Sequence, residues 1–142
     1  MAHDPQVQKV ADELTIRNLI SRLAHLADMA GADELDEYVG LFTEDASWSM
    51  PGASHQGRAS IREGARQRRA DGRQGPGSNS RHIITTVAVA VDGSDTAAAD
   101  SYLLFCVDTA SSPTVQLVCH YHDSFQRGAD GWRLAKRQIA LG

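Results

Sequence analysis

From Val7 to about Ala30 the apolar residues Val7, Val10, Leu14, Ile16, Leu19, Ile20, Leu23, Leu26, Ala27 and Ala30 recur at helical spacing, and no glycine or proline interrupts them. The spacing predicts one long helix that Gly31 can end. Behind Asp33, a capping residue type, Leu35, Tyr38, Val39 and Phe42 fall at i, i+3, i+4 and i+7 and predict a second helix packed on the first. Ala46 to Met50 reads as a short strand centred on Trp48 and stopped by Pro51-Gly52. A third helix is expected from Ala59 or Ser60 to Arg69. Residues 70–80 hold three glycines and a proline and can form no regular element. Beyond them the period falls to two and β-branched residues accumulate, which predicts strands over 81–91, 97–107, 114–127 and 132–139. Helices first and strands afterwards is the α+β arrangement, with helices covering one face of a curved, mainly antiparallel sheet.

Length and composition narrow this picture. A chain of 142 residues suits one domain over 1–142 that closes a core without disulfides or a structural metal. With 42% hydrophobic and 23% charged residues it is an ordinary globular composition, which excludes disordered, collagen-like and disulfide-scaffold classes. No apolar run approaches the roughly 18 residues of a membrane span, and Met1-Ala2-His3-Asp4-Pro5 lacks the basic and apolar regions of a secretory signal. A cytoplasmic protein without a membrane partner is the expectation. The net charge of −4 speaks against nucleic acid, yet it is unevenly spread: ten acids face three bases over 1–50, and two acids face seven arginines over 51–82. Arg58, Arg62, Arg66, Arg68, Arg69 and Arg73 fit a solvated helix face first, and a surface for an anion second. Cys106 and Cys119 sit in apolar stretches and read as free buried thiols.

The element order, Leu-Phe-Thr-Glu-Asp-Ala-Ser-Trp at residues 41–48, Gly57 before the third helix, and Asp-Gly-Trp-Arg-Leu at 130–134 together resemble the SnoaL-like branch of the NTF2-like superfamily. The resemblance implies an α+β cone, three N-terminal helices packed on a strongly bent sheet, with an apolar pocket between them. Two positions carry a finer likeness. Asp28, in Leu26-Ala27-Asp28, and His82, in Ser80-Arg81-His82-Ile83, match the catalytic aspartate and histidine of scytalone dehydratase and hexachlorocyclohexane dehydrochlorinase, and bile-acid dehydratases are similar in the same region. The accessory shell differs: Ala27 stands where scytalone dehydratase has a tyrosine, and the strand expected to supply a second histidine reads Tyr-Leu-Leu-Phe-Cys-Val-Asp over 102–108.

The chemistry of the pair stands beside the likeness. Histidine takes a proton near neutral pH, and a neighbouring carboxylate fixes its tautomer and stabilises the imidazolium. No Gly-x-Ser-x-Gly nucleophile motif is present, so chemistry that needs only proton removal is favoured: elimination beside a leaving group, isomerisation or cyclisation beside a carbonyl. Read without the likeness, Asp28 sits at the edge of the apolar stripe as a solvated or capping carboxylate. His82 would be a satisfied core residue on the face of Ile84, Thr86, Ala88 and Ala90. Candidate pocket walls are Trp48, Tyr38, Tyr102 and Phe105. Tyr121 and Asp123 share one strand face with Cys119 and Phe125, opposite His120 and His122. Arg137 matches, through the dehydrochlorinase likeness, a cation that steadies a leaving anion. His25 could contact Asp28. His120 and His122 could form half of a metal site, but a third ligand is not evident, so no metal is expected.

Neither a dinucleotide fingerprint nor a phosphate-binding loop occurs, so no cofactor is expected, and Gly72, Gly75 and Gly77 suit a lid over the pocket. The first functional expectation is a cofactor-independent lyase, dehydratase or dehydrohalogenase in type, acting on a small, largely hydrophobic cyclic substrate. The alternatives are a polyketide cyclase or ketosteroid-isomerase-like enzyme using Asp28 directly, and a non-catalytic ligand-binding or dioxygenase small-subunit-like module. The open sheet face predicts a homodimer or homotrimer.

Overall fold

The computed structural model describes residues 4–142. Helix α1 (Pro5–Met29) starts behind Asp4, whose carboxylate accepts the Gln6 amide N–H at 2.9 Å, and Pro5 occupies the first turn, where its missing donor costs nothing. Its buried stripe runs through Ile16, Leu19, Ile20, Leu23, Leu26 and Ala27. Val7, Val10 and Leu14, expected on that stripe, are exposed, because no described element covers the first turns. Burial begins at Asp12, whose carboxylate accepts hydrogen bonds from Arg127 and from the Trp132 indole.

Helix α2 (Asp36–Gly40) is shorter than predicted, since Phe42 already opens a strand, β1 (Phe42–Met50). After it come β2 (Ala53–Gln56), helix α3 (Arg58–Ala70), and strands β3 (Arg81–Asp92), β4 (Thr96–Val107), β5 (Thr114–Gly128) and β6 (Gly131–Leu141). Strand β2 is not foreseen from the sequence, because Ala-Ser-His-Gln has no β-branched pattern to mark it. The six strands form one sheet in the order β2-β1-β6-β5-β4-β3, antiparallel throughout except for the parallel β1–β6 pair. This is an α+β fold with helices against the inner face of a curved mixed sheet. One-residue register shifts in β3, β5 and β6 mark the bulges that bend it.

The bulge in β3 corrects one expectation. Thr85 pairs with Tyr102 and Ala88 with Asp100, so β3 carries one extra residue there, and Thr86 sits at φ 55°. Facing therefore switches: Ile84 points inward before the bulge, and Val87, Val89 and Val91 do so after it, while Ala88 and Ala90 are exposed.

The interior has two ends. At one, Ala97, Ala99, Phe125, Trp132 and Leu134 of the sheet close against Ile16, Ile20, Leu35 and Phe42. At the other, Leu103, Phe105, Cys119 and Tyr121 form a smaller cluster that the helices do not fill, and Cys106 and Cys119 are free and buried. Ile83, Tyr102, Val115 and Val118 are exposed. No described helix is long and apolar enough to cross a membrane.

Candidate functional site

The unfilled end is a cavity of about 590 Å³ bounded by α1, α2, β1, α3, the 71–80 loop and strands β3 to β6, a size that suits a small organic molecule. Asp28 reaches its edge from the last turn of α1. A carboxylate at a helix C-terminus meets the negative end of the helix dipole, and Asp28 is only 6% exposed, so it must be held by donors. His82, at the start of β3, supplies them. Its backbone N–H lies 3.1 and 3.2 Å from the two Asp28 oxygens, and its ring Nδ1 lies 2.7 Å from Oδ1. Because an ionised carboxylate only accepts, the Nδ1 proton points at Asp28, which leaves Nε2 as the nitrogen with a lone pair whenever the ring is neutral. Nε2 has no hydrogen-bond partner among the described residues, and the ring lines the cavity with its edge against Phe105, 4.9 Å between centroids.

Arg69 steadies the same helix end. Its Nε donates to the Ala30 carbonyl at 2.6 Å, and a terminal nitrogen donates to the carbonyls of Ala27 and Leu26 at 3.0 and 3.2 Å. Gly75 packs against its stem: the glycine adopts φ +93°, and a Cβ there would lie 2.7 Å from Arg69 Cγ.

Of the wall residues expected from the sequence, Trp48, Tyr38, Phe105, Tyr121 and Arg137 line the cavity. Tyr102 does not. It lies three residues from Phe105 on β4, and a spacing of three puts two strand residues on opposite faces, so its ring is exposed against His120. Asp123 is also not on the wall. It is buried behind it, and both of its oxygens accept from the Arg137 guanidinium, at 2.8 and 2.9 Å. Burial works against the Arg137 charge, but the Asp123 carboxylate outweighs it and holds the guanidinium cationic. That guanidinium lies 4.1 Å from the Tyr121 ring centroid. Burial pushes the Tyr121 phenol well above its ordinary range, so it keeps its proton and remains a donor. His25 is exposed, and the ring that Asp28 meets is that of His82.

Two wall groups, Arg68 and Gln74, escaped the sequence reading. Arg68 and Arg69 follow Ile61 and Ala65 at i+7 and i+8 and at i+3 and i+4, so the inward face of α3 was marked by the two buried apolar residues. Arg68 lines the cavity over the Trp48 ring, 4.7 Å from its centroid. Gln74 lines it from the loop, where no periodicity could have signalled it. On the side of the sheet away from the cavity, Asp100, His120 and His122 bring one possible ligand atom each within 4.8 Å of one another, the third partner that the two histidines lacked in the sequence.

The family model for the SnoaL-like domain matches residues 8–138. The chain belongs to the SnoaL-like family. Its solved structural neighbours include an NTF2-like protein with a cystatin-like fold from Novosphingobium aromaticivorans, 27% identical, TM-score 0.78, covering 96% of this chain and 85% of the other. A Mycobacterium tuberculosis protein of unknown function, solved as an Asp-to-Asn variant, is 25% identical with TM-score 0.83 over 100% of this SnoaL-like chain and 78% of its own. A Catenulispora acidiphila protein in complex with S-DNPA is 26% identical, TM-score 0.74, over 93% and 94%. No curated protein gives a significant match.

Proposed function

We propose that this SnoaL-like chain is a cofactor-independent lyase in which His82 removes a proton from a small, largely apolar cyclic substrate and Asp28 orients the ring that does so. One observation carries the reading: the 2.7 Å contact between Asp28 Oδ1 and His82 Nδ1, with the ring on the wall of an apolar cavity. The substrate C–H bond is broken toward Nε2, and its electron pair forms the new double bond as the leaving group departs with its own pair. The proton becomes the Nε2–H of an imidazolium whose Nδ1–H already faces a buried carboxylate, so the new positive charge is matched where it forms. The Tyr121 phenol is a donor for a departing hydroxyl or halide, and Arg137, fixed by Asp123, adds a positive field on the same wall.

These contacts favour the pair over a carboxylate acting alone. Asp28 is absent from the cavity wall and its oxygens are occupied by His82, so in this reading it works through the ring. A site kept only for ligand binding would have no need of a buried carboxylate behind a histidine.

A generic probe tests this without knowledge of the natural substrate. Ring opening of 5-nitrobenzisoxazole needs only removal of one carbon-bound proton, and its product absorbs visible light. The wild type should open it faster than free imidazole at the same concentration, and H82Q and D28N should each lower the rate by about 10²- to 10⁴-fold. An H82Q variant as fast as the wild type, or a wild type no faster than imidazole, sinks the reading.

A further inference from the structure

Arg68 is the one arginine of the described chain without a hydrogen-bond or ion-pair partner. The others each hold a carboxylate or a backbone carbonyl: Arg137 takes Asp123, Arg127 takes Asp12, Arg73 takes Asp71, and Arg69 closes the end of α1, with the rest paired in the same two ways. Arg68 is half-buried on the cavity wall, and its only contact of this kind is the face of Trp48, which occupies none of its N–H donors. Its neighbours do not neutralise it. His55 is pushed below the ordinary histidine value by burial and by the Arg68 charge, and the Tyr38 and Tyr121 phenols are near enough to interact with it electrostatically. Burial without a counter-ion pulls the Arg68 guanidinium itself down from its ordinary value.

A second group points the same way. Gln74 is 8% exposed and lines the same cavity, yet its side-chain amide makes no hydrogen bond in the described chain. Its amide atoms are not sealed from the cavity, so they are free to meet a ligand there. A half-buried planar guanidinium and an amide, neither with a protein hydrogen-bond partner and both on one cavity, match the two oxygens of a carboxylate.

We infer that the molecule taken up by this cavity carries an anionic carboxylate on its apolar ring, bound by Arg68 with the Gln74 amide. The inference rests on the acid–base reading only for the identity of the site, since it assigns the anchoring end of the ligand and not the reacting end. The anchor would hold a ring acid in the cavity that His82 lines, and would leave Tyr121 and Arg137 to the departing group.

Binding of two probes of one shape, 2-naphthoate and the neutral 2-naphthalenemethanol, tests it by calorimetry without any turnover. The wild type should bind the carboxylate at least about tenfold more tightly than the alcohol. R68M should remove that preference and leave alcohol binding within about twofold, which also shows that the variant is folded. Q74L should reduce the preference by a smaller factor, and it decides the matter if R68M binds neither probe: a preference unchanged in Q74L overturns the inference. A wild type that does not take up 2-naphthoate, or takes both probes equally, overturns it as well. H82Q should keep the preference, so loss of ring-opening activity in that variant and loss of carboxylate binding in R68M report on separate claims.

Discussion

Two aspartate–histidine contacts of nearly equal length occupy the two sides of one sheet. Asp28 and His82 meet at 2.7 Å on the cavity side, with side chains 8% and 12% exposed. Asp100 and His122 meet at 2.6 Å on the other side, with side chains 57% and 50% exposed, and His120 adds a contact at 3.2 Å. Distance does not separate them. Surroundings do: the first pair is fixed by a further bond from the His82 backbone and opens onto an apolar cavity, whereas the second shares one carboxylate oxygen between two rings in water. In high dielectric such a contact is screened and weak, and none of its three residues lines the cavity that His82 faces. An acid–base pair is thus defined by what excludes water around it as much as by its own geometry.

The largest effect that would break this comparison is catalytic. In the 5-nitrobenzisoxazole assay H122Q and D100N should stay within about twofold of the wild type, while H82Q and D28N lose about 10²-fold or more. Equal losses on both faces would show that burial is not what distinguishes the pairs. Next comes stability, measured by urea unfolding. D123A strands the buried Arg137 charge and should cost about 3–5 kcal/mol, whereas D100A, which frees exposed rings, should stay within about 0.5 kcal/mol. The smallest is a pH effect. Burial works against the Asp12 charge, but hydrogen bonds from Arg127, Trp132 and Gln8 prevail and hold its carboxyl below the ordinary aspartate value. A depressed folded-state value means stability that is present above the unfolded value and lost as pH falls through the folded one. D12N should therefore unfold at similar urea concentrations across the acid range where the wild type weakens, with a difference of about 1–2 kcal/mol at neutral pH.

Much of the fold was legible because its signals are local. The helical stripe from Ile16 to Ala27 and the two-residue period of β4 and β5 report burial directly. The pairing of Asp28 with His82, 54 residues apart, is not local, and only the family likeness joined them. Tyr102 was misplaced although its parity with Phe105 was visible in the chain. Arg68 was hidden by its class: a run of arginines on a helix reads as a solvated face, and only the position of Ile61 and Ala65 shows that one of them turns inward. Gln74 lies in a glycine-rich segment where neither period nor propensity constrains a side chain, so its burial is a tertiary fact alone. Strand β2 and the extra residue in β3 are likewise set by pairing with neighbours and not by the residues themselves.

That extra residue at Thr85–Thr86 divides β3 into two reading frames. Upstream, even-numbered positions from Ser80 to Ile84 face the cavity; downstream, odd-numbered positions from Val87 to Val91 face the core. The strand can therefore be rewritten on one side of the bulge without disturbing the other, so substrate preference and core packing are free to vary separately within twelve consecutive residues. Straightening the bulge with every residue kept would merge the frames: a strand anchored by its core half would present Arg81 and Ile83 to the cavity and turn His82 away from it, whereas deleting the extra residue would leave a regular strand with His82 still facing inward.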